Sequence, residues 1–191
     1  MRQPIESGEI VISRVGATLN FPCRFTLVAA MNPCPCGYFG SDMCRCKDTD
    51  VKKYQKKLSG PILDRIDLQV EMDRLSTEER FAPIEEDLSA RLRMKVERAR
   101  DRQIARFAGK GIPYNAAIPG GTVLDYCEFS SEAMSCFKET IENNTLSTRS
   151  MDRLAKVART IADLDGIKKV QAVHIRKATT FVVGGVLRES L

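Results

Sequence analysis

The sequence predicts an α/β segment followed by an all-α segment. Short β-type runs and a Cys-rich loop fill residues 9–72, whereas helical periodicity dominates beyond residue 85. With 191 residues, 43% of them hydrophobic, the chain can bury a core as one domain or two small ones. We assign residues 1–75 to the α/β part, 76–84 to a linker and 85–191 to a helical domain.

The first segment contains two predicted β elements. In residues 9–14, Ile10 and Ile12 alternate with Val11 and Ser13, as in a β-strand. Residues 15–17 can form a turn and residues 18–21 a second, returning strand, which predicts a β-hairpin over 9–21. Phe25 to Ala30 form an almost unbroken apolar run, which is typical of a central strand covered on both faces in a parallel sheet.

A loop rich in Pro, Gly and Cys follows over residues 33–50, and then a basic stretch over 52–57. Ser59 can N-cap a short helix that carries Ile62, Leu63 and Ile66 on one side. Residues 68–72 alternate and predict a further strand.

Four helices are predicted in the second segment. Apolar and small residues recur at steps of three and four over residues 85–107, which indicates one long amphipathic helix; they are Leu88, Leu92, Val96, Ala99 and Gln103. After an irregular Gly/Pro-rich stretch, three more helices are predicted over 130–143, 147–164 and 172 to about 187.

Charge and composition exclude several classes of protein. No apolar run approaches the roughly 18 to 20 residues that span a bilayer, and the N-terminus does not resemble a signal peptide, so we expect a cytoplasmic protein without membrane contact. The net charge is only +5, but residues 91–106 hold seven basic side chains against two acidic ones. This helix, with Arg98 and Arg102, is one candidate for DNA contact, although such faces are usually solvated.

The cysteines form the most specific pattern. Cys34 and Cys36 make one Cys-x-Cys pair and Cys44 and Cys46 another, seven residues away, so a turn at residues 37–40 can bring four sulfurs into a tetrahedron. Structural zinc is the favoured interpretation, and unligated thiols or a redox pair remain the alternative. We expect the other three to be core residues; they are Cys23, Cys127 and Cys136.

Three polar residues stand out as candidates for a nucleotide site. Asn32 follows a predicted strand, where ligands of α/β sheets bind, but it could equally close the strand with a turn. Arg149 falls in the first turn of a helix capped by Ser147, where its charge opposes the helix dipole, although an exposed arginine tolerates this. Arg65 either forms a surface ion pair or presents its guanidinium to a phosphate bound by a neighbouring subunit.

The sequence also lacks two motifs of nucleotide hydrolysis. No Gly-x₄-Gly-Lys-Ser/Thr loop is present to cradle phosphates, and no apolar strand ends in Asp-Glu to hold magnesium. We therefore expect the 191-residue chain alone to have no ATPase activity.

Four stretches together resemble the bacterial magnesium-chelatase-like AAA+ ATPases. They are residues 2–14 (RQPIESGEIVISR), 25–37 (FTLVAAMNPCPCG), 59–67 (SGPILDRID) and 146–164, with LSTRS and VARTIADL. The resemblance implies the C-terminal part of an AAA+ α/β core with a β-hairpin and a Cys-rich insert, followed by a helical lid. The phosphate-binding loop would then precede Met1, so the chain is expected to be a truncated product.

The resemblance also implies roles for single residues. Asn32 would be the sensor-one residue beside the γ-phosphate, Arg65 the arginine finger acting on a neighbouring subunit, and Arg149 the sensor-two arginine of the lid. The hairpin would project toward the channel of a hexameric ring, which makes Arg14 a second candidate for DNA contact. ATP and Mg²⁺ are the implied cofactors, and DNA branch migration is the implied activity.

Two functions from different classes remain open at this point. One is a fragment of an ATP-driven DNA-remodelling motor, and the other is a zinc-bearing nucleic-acid-binding or assembly module that needs no nucleotide. A metal-chelatase subunit is a third possibility by family analogy alone.

Overall fold

A computed structural model describes residues 2–57, 63, 65–83 and 85–183. The described chain divides into two compact units, residues 2–66 and residues 67–183. Across these described ranges, no helix is both long and apolar enough to cross a bilayer.

The first unit is built around an antiparallel hairpin. Its elements are α1 (Arg2–Ser7), β1 (Glu9–Arg14), β2 (Ala17–Pro22) and α2 (Asp48–Gln55). The predicted hairpin is confirmed, with Gly16 supplying a positive φ of 92° at the two-residue turn. Ile10 lies opposite Phe21 and Ile12 opposite Leu19, so one face of the hairpin is apolar.

The predicted strand from Phe25 to Ala30 is wrong for the described chain. The segment has no regular structure, and its apolar side chains are exposed, Val28 by 88%. A strand exists only where neighbouring strands accept and donate its backbone hydrogen bonds. Among the described residues the sheet consists of β1 and β2 alone, so this segment has no strand to join.

The predicted strand over residues 68–72 is also wrong. These residues have no regular structure and no ladder, and a backbone hydrogen bond of 2.9 Å, from Gln69 N–H to the Phe181 carbonyl, attaches them to the helices. The predicted helix after Ser59 lies partly outside the described residues. Leu63 is helical and buried, and the Ile66 N–H donates to the Leu63 carbonyl at 3.1 Å.

The second unit is helical, as predicted. It contains α3 (Thr77–Arg80), α4 (Leu88–Arg106), α5 (Val123–Cys127), α6 (Ser131–Asn144), α7 (Thr148–Leu164) and α8 (Ala172–Val182), with a 3₁₀ turn at Asn115–Ala117. Three of the four long helices match the predicted ones within three residues at both ends, whereas α8 begins at the predicted residue and ends at Val182, earlier than predicted. The two shortest, α3 and α5, were not predicted.

Local capping explains where α6 and α7 begin. The hydroxyl of Ser130 accepts the Ala133 N–H at 3.1 Å, and that of Ser147 accepts the Ser150 N–H at 3.3 Å. Between the two helices, Thr145 adopts a left-handed conformation with φ of 47° and ends α6.

The core of the second unit lies around α7. This helix buries a stripe of small and branched side chains against α4, α5 and α8; the stripe consists of Leu154, Ala155, Ala158, Ile161 and Ala162. Because alanine lets helices approach closely, α7 forms the centre of the bundle. Cys127 is fully buried and Cys136 partly buried against this core, as predicted, whereas Cys23 is half-buried in the first unit.

Candidate metal centre

The Cys-rich loop folds through a series of tight turns. The Gly37 N–H donates to the Cys34 carbonyl at 3.0 Å, and the Cys44 N–H donates to the Ser41 carbonyl at 2.9 Å. Gly37 has a φ of 79°, which other residues rarely adopt, so the turn depends on this glycine. The result is that the two Cys-x-Cys pairs face each other.

The four sulfurs lie at the distances that a tetrahedral metal site requires. Cys34 Sγ lies 3.4 Å from Cys36 Sγ and 4.0 Å from Cys44 Sγ, and the latter two are 3.8 Å apart. With Cys46 included, all four sulfurs lie within 4.8 Å of one another. A tetrahedron with metal–sulfur bonds of about 2.3 Å has edges of about 3.8 Å. The group can therefore hold one metal ion.

The chemistry of the thiols also fits a metal. All four are free, Cys34 is buried and the others are half-buried. Hydrogen bonds from the backbone N–H groups of Arg45 and Tyr38 lower the pKa of Cys36 to about 6. These bonds favour the thiolate of Cys36, which is the form that ligates metals. Despite backbone hydrogen bonds that lower them, the pKa of Cys46 is raised to about 12 and that of Cys44 is also raised, because these thiols are partly buried beside the other sulfurs.

Helix α2 fixes the loop from its C-terminal side. It follows Cys46 almost directly, and its two buried side chains are Val51 and Gln55. The Gln55 amide donates to the Pro33 carbonyl at 3.1 Å, which ties the helix to the start of the loop. The loop is thus held at both ends.

The candidate nucleotide-site residues are placed as follows. Asn32 is exposed, directly before the cysteine group, and a Cβ at Gly37 would lie 3.7 Å from its side chain. Arg65 is half-buried at the end of the first unit, and Arg149 is exposed in the first turn of α7. Asn32 thus ends a segment without regular structure, and not a strand as predicted.

The candidate nucleic-acid residues have different surroundings. Arg14 is exposed at the tip of the hairpin, beside the turn, and Arg98 is exposed on α4. Arg102, also on α4, reaches the C-terminal end of α7, where its guanidinium donates to the Asp163 carbonyl at 2.9 Å. Its position is explained by this helix-end contact, because cations are favoured beside the last carbonyls of a helix.

A buried polar network was missed by the sequence analysis. Arg159 and Asp163 are fully buried, and the Asp163 carboxylate also accepts from Arg106 and, at 2.8 Å, from the Asn115 amide. Arg159 further donates to the carbonyls of Ile167 at 2.7 Å and of Lys168 at 2.5 Å. Burial lowers the pKa of Arg159, and Asp163 opposes that shift.

The signal for this network was present in the sequence. The string VARTIADL places an arginine and an aspartate four residues apart within an otherwise apolar and alanine-rich helix face. Charged residues are seldom fully buried unless they are paired, so this spacing indicates an internal ion pair.

Comparison with known proteins gives matches over nearly the whole chain. The family described as "Magnesium chelatase, subunit ChlI" matches residues 1–80, and "Magnesium chelatase, subunit ChlI C-terminal" matches residues 86–181. The Competence protein ComM of Haemophilus influenzae is 38% identical over 184 residues, which are 93% of this chain and 34% of that protein.

Two further relatives show similar coverage. The uncharacterized protein YifB of Escherichia coli is 36% identical over 95% of this chain and 35% of its own length. A Mycobacterium tuberculosis protein, Rv2897c, is 34% identical over 98% of this chain and 37% of its own length. The chain therefore spans about a third of the length of these relatives.

Both halves of the chain are matched in order, and the C-terminal family description alone covers half of it. The chain belongs to the magnesium chelatase subunit ChlI family.

Proposed function

We propose that this chain is the C-terminal part of an AAA+ motor that uses ATP to remodel DNA within a hexameric ring. The observation that carries the proposal is the ordered match of both family descriptions, together with 38% identity to the Competence protein ComM over 93% of the chain. The phosphate-binding loop and the magnesium-binding carboxylates would come from the remaining two thirds of the protein.

Three side chains of this chain would complete the ATP site. The Asn32 amide would orient and polarise the attacking water. Arg65 would place its guanidinium on the γ-phosphate bound by the neighbouring subunit, where charge develops during transfer, and such fingers raise turnover by about 10³ to 10⁵. Arg149, exposed at the start of α7, would contact the nucleotide from the helical domain.

The four-cysteine group would hold one structural Zn²⁺. Four thiolates leave no open coordination position, so zinc would stabilise the loop and take no part in catalysis. Because Asn32 immediately precedes this loop, a fixed loop would also fix the position of its amide.

The proposal is tested by complementation in the full-length protein. Asn32→Ala disables the ATP site of its own subunit, whereas Arg65→Ala disables the site of the neighbour. Each variant alone should bind nucleotide but hydrolyse almost none, and an equal mixture should regain part of the activity. Arg24→Ala, at an exposed arginine of the same unit, is the matched control and should hydrolyse ATP normally.

A mixture that stays inactive although each variant still binds nucleotide and assembles would contradict these roles. Full-length wild type that hydrolyses no ATP would overturn the motor itself. The geometry of the four sulfurs would then favour the second candidate, a zinc-bearing module for nucleic-acid binding or assembly. Retention of DNA binding without any nucleotide effect would identify that module.

A further inference from the structure

Helix α4 carries a stripe of apolar side chains that is covered over only half of its length. At 100° per residue, Leu88, Leu92 and Val96 continue the line of Ala99 and Gln103. The last two are buried, whereas the first three are exposed, Leu92 by 51%. The uncovered part, from Leu88 to Val96, spans about 12 Å of helix at 1.5 Å per residue.

The segment that precedes α4 is also exposed. Every described residue from 71 to 87 is solvent-exposed, including Met72 by 86% and Phe81 by 80%. Apolar side chains this exposed, beside one another in sequence and next to an uncovered helix stripe, indicate a surface that receives a partner.

The two surfaces carry equal and opposite charge. Residues 71–87 contain seven acidic and two basic side chains, and residues 88–106 contain seven basic and two acidic ones. Arg93 and Lys95 flank the uncovered stripe on its two sides. Complementary charges around apolar centres favour one partner and one register over others.

We propose that the acidic segment of one copy, residues 71–87, packs on the exposed stripe of α4 in a second copy of this chain. The inference deepens the proposed function, because a ring requires contacts between subunits, but it is argued from exposure and charge alone. Each copy offers both surfaces, and their described residues are solvent-exposed. Within one copy, Arg91 of α4 pairs with Glu85 of the acidic segment, and Lys95 Nζ lies 3.8 Å from Asp165 Oδ1.

DNA is a less suitable occupant of this face. Leu88, Leu92 and Val96 offer nothing to phosphates, which are bound by charged and hydrogen-bonding groups. Several basic side chains of α4 are also already engaged within the chain; Arg100 lies over the Tyr114 ring at 5.1 Å, and Arg102 and Arg106 bind Asp163.

The test is a charge exchange between two variants of the full-length protein, measured by sedimentation without nucleotide. One variant carries Asp73→Lys and Glu86→Lys in the acidic segment, and the other carries Arg93→Glu and Lys95→Glu on α4. Each pair of changes lowers the net charge of its surface from five to one in magnitude and places like charges opposite each other at the changed positions, so each variant alone should associate about tenfold more weakly or worse. An equal mixture should regain association, because each altered surface then meets its complement in the other copy.

Leu92→Ser tests the apolar part, with Met94→Ser as its control. Both side chains are 51% exposed on α4, but Met94 lies off the stripe. Association should weaken only with Leu92→Ser, while circular dichroism shows both variants folded. Equal effects of the two substitutions would overturn the proposal.

Two other results would also overturn it. If one chain carrying all four charge changes associates normally but the mixture does not, the segment covers its own helix. If Arg93→Glu with Lys95→Glu abolishes duplex binding and leaves association unchanged, the face belongs to DNA. ATP hydrolysis by the wild type is scored separately, so this surface and the motor can fail independently.

Discussion

Arg159 and Asp163 lie one turn apart on α7, with 3.1 Å between guanidinium and carboxylate, and both side chains are almost completely buried. The pair joins α7 to the carbonyls of the loop that follows it and, through Arg106, to the end of α4. It is therefore the polar centre of the helical unit.

Asp163→Ala should destabilise the protein strongly. The substitution leaves the guanidinium groups of Arg159 and Arg106 near each other without a carboxylate, and breaking a buried ion pair from one side costs about 3–5 kcal/mol. Urea unfolding followed by circular dichroism measures the change. Glu139→Ala, at an exposed carboxylate on α6, should change the free energy of unfolding by less than about 0.5 kcal/mol. Similar losses in the two variants would contradict the central role of Asp163.

Protein prepared without chelators should contain about one zinc per chain, and Cys44→Ser should release it. Elemental analysis of the purified protein measures the metal, and proteolysis within residues 33–47 reports loosening of the loop. Cys23→Ser is the control, because Cys23 lies outside the sulfur group, and it should retain the zinc. Metal-free wild type that keeps a protected loop would contradict the assignment.

Stability should fall as the pH drops through about 6.5, the ordinary pKa of histidine, because His174 is buried. Burial lowers the pKa of His174; Asp165 opposes the shift, and Arg159 and Lys177 add to it. The unfolded chain therefore binds the proton at a higher pH than the folded one. The contribution of the neutral, buried His174 to the free energy of unfolding is fully present above the pKa of this histidine in the unfolded chain. It is lost as the pH falls toward the lower pKa of His174 in the folded chain.

His174→Gln isolates this effect. His174 Nδ1 accepts the Gln171 N–H at 2.9 Å, and glutamine at the same helix position can accept that bond without titrating. Unfolding free energies measured between pH 5 and 8 should depend less on pH in the variant. Identical pH profiles would show that other groups cause the loss.

Arg98→Gln should lower the salt dependence of duplex binding by the full-length protein if α4 contacts DNA. Each lost phosphate contact lowers the slope of log affinity against log salt by roughly 0.9. Arg102 is a poorer probe than the sequence indicates, because its guanidinium contacts the end of α7. Lys138→Gln, at an exposed lysine on α6, serves as the control. An unchanged slope for Arg98→Gln would leave Arg14 at the hairpin tip as the better candidate.

The local elements and the four-cysteine group could be predicted from the sequence alone. The hairpin depends on a glycine turn between alternating strands, and α6 and α7 begin at serine caps, so short-range interactions suffice to place them. The cysteine group was predictable for the same reason, because all four ligands lie within thirteen residues.

The tertiary structure decided the features that depend on distant partners. The run from Phe25 to Ala30 has the composition of a central strand, but without neighbouring strands in the described chain it has no regular structure and is exposed. Leu88 and Leu92 share a periodicity with Ala99, yet only the C-terminal half of α4 packs on α7. Periodicity identifies an apolar face, but only long-range packing determines whether that face is covered.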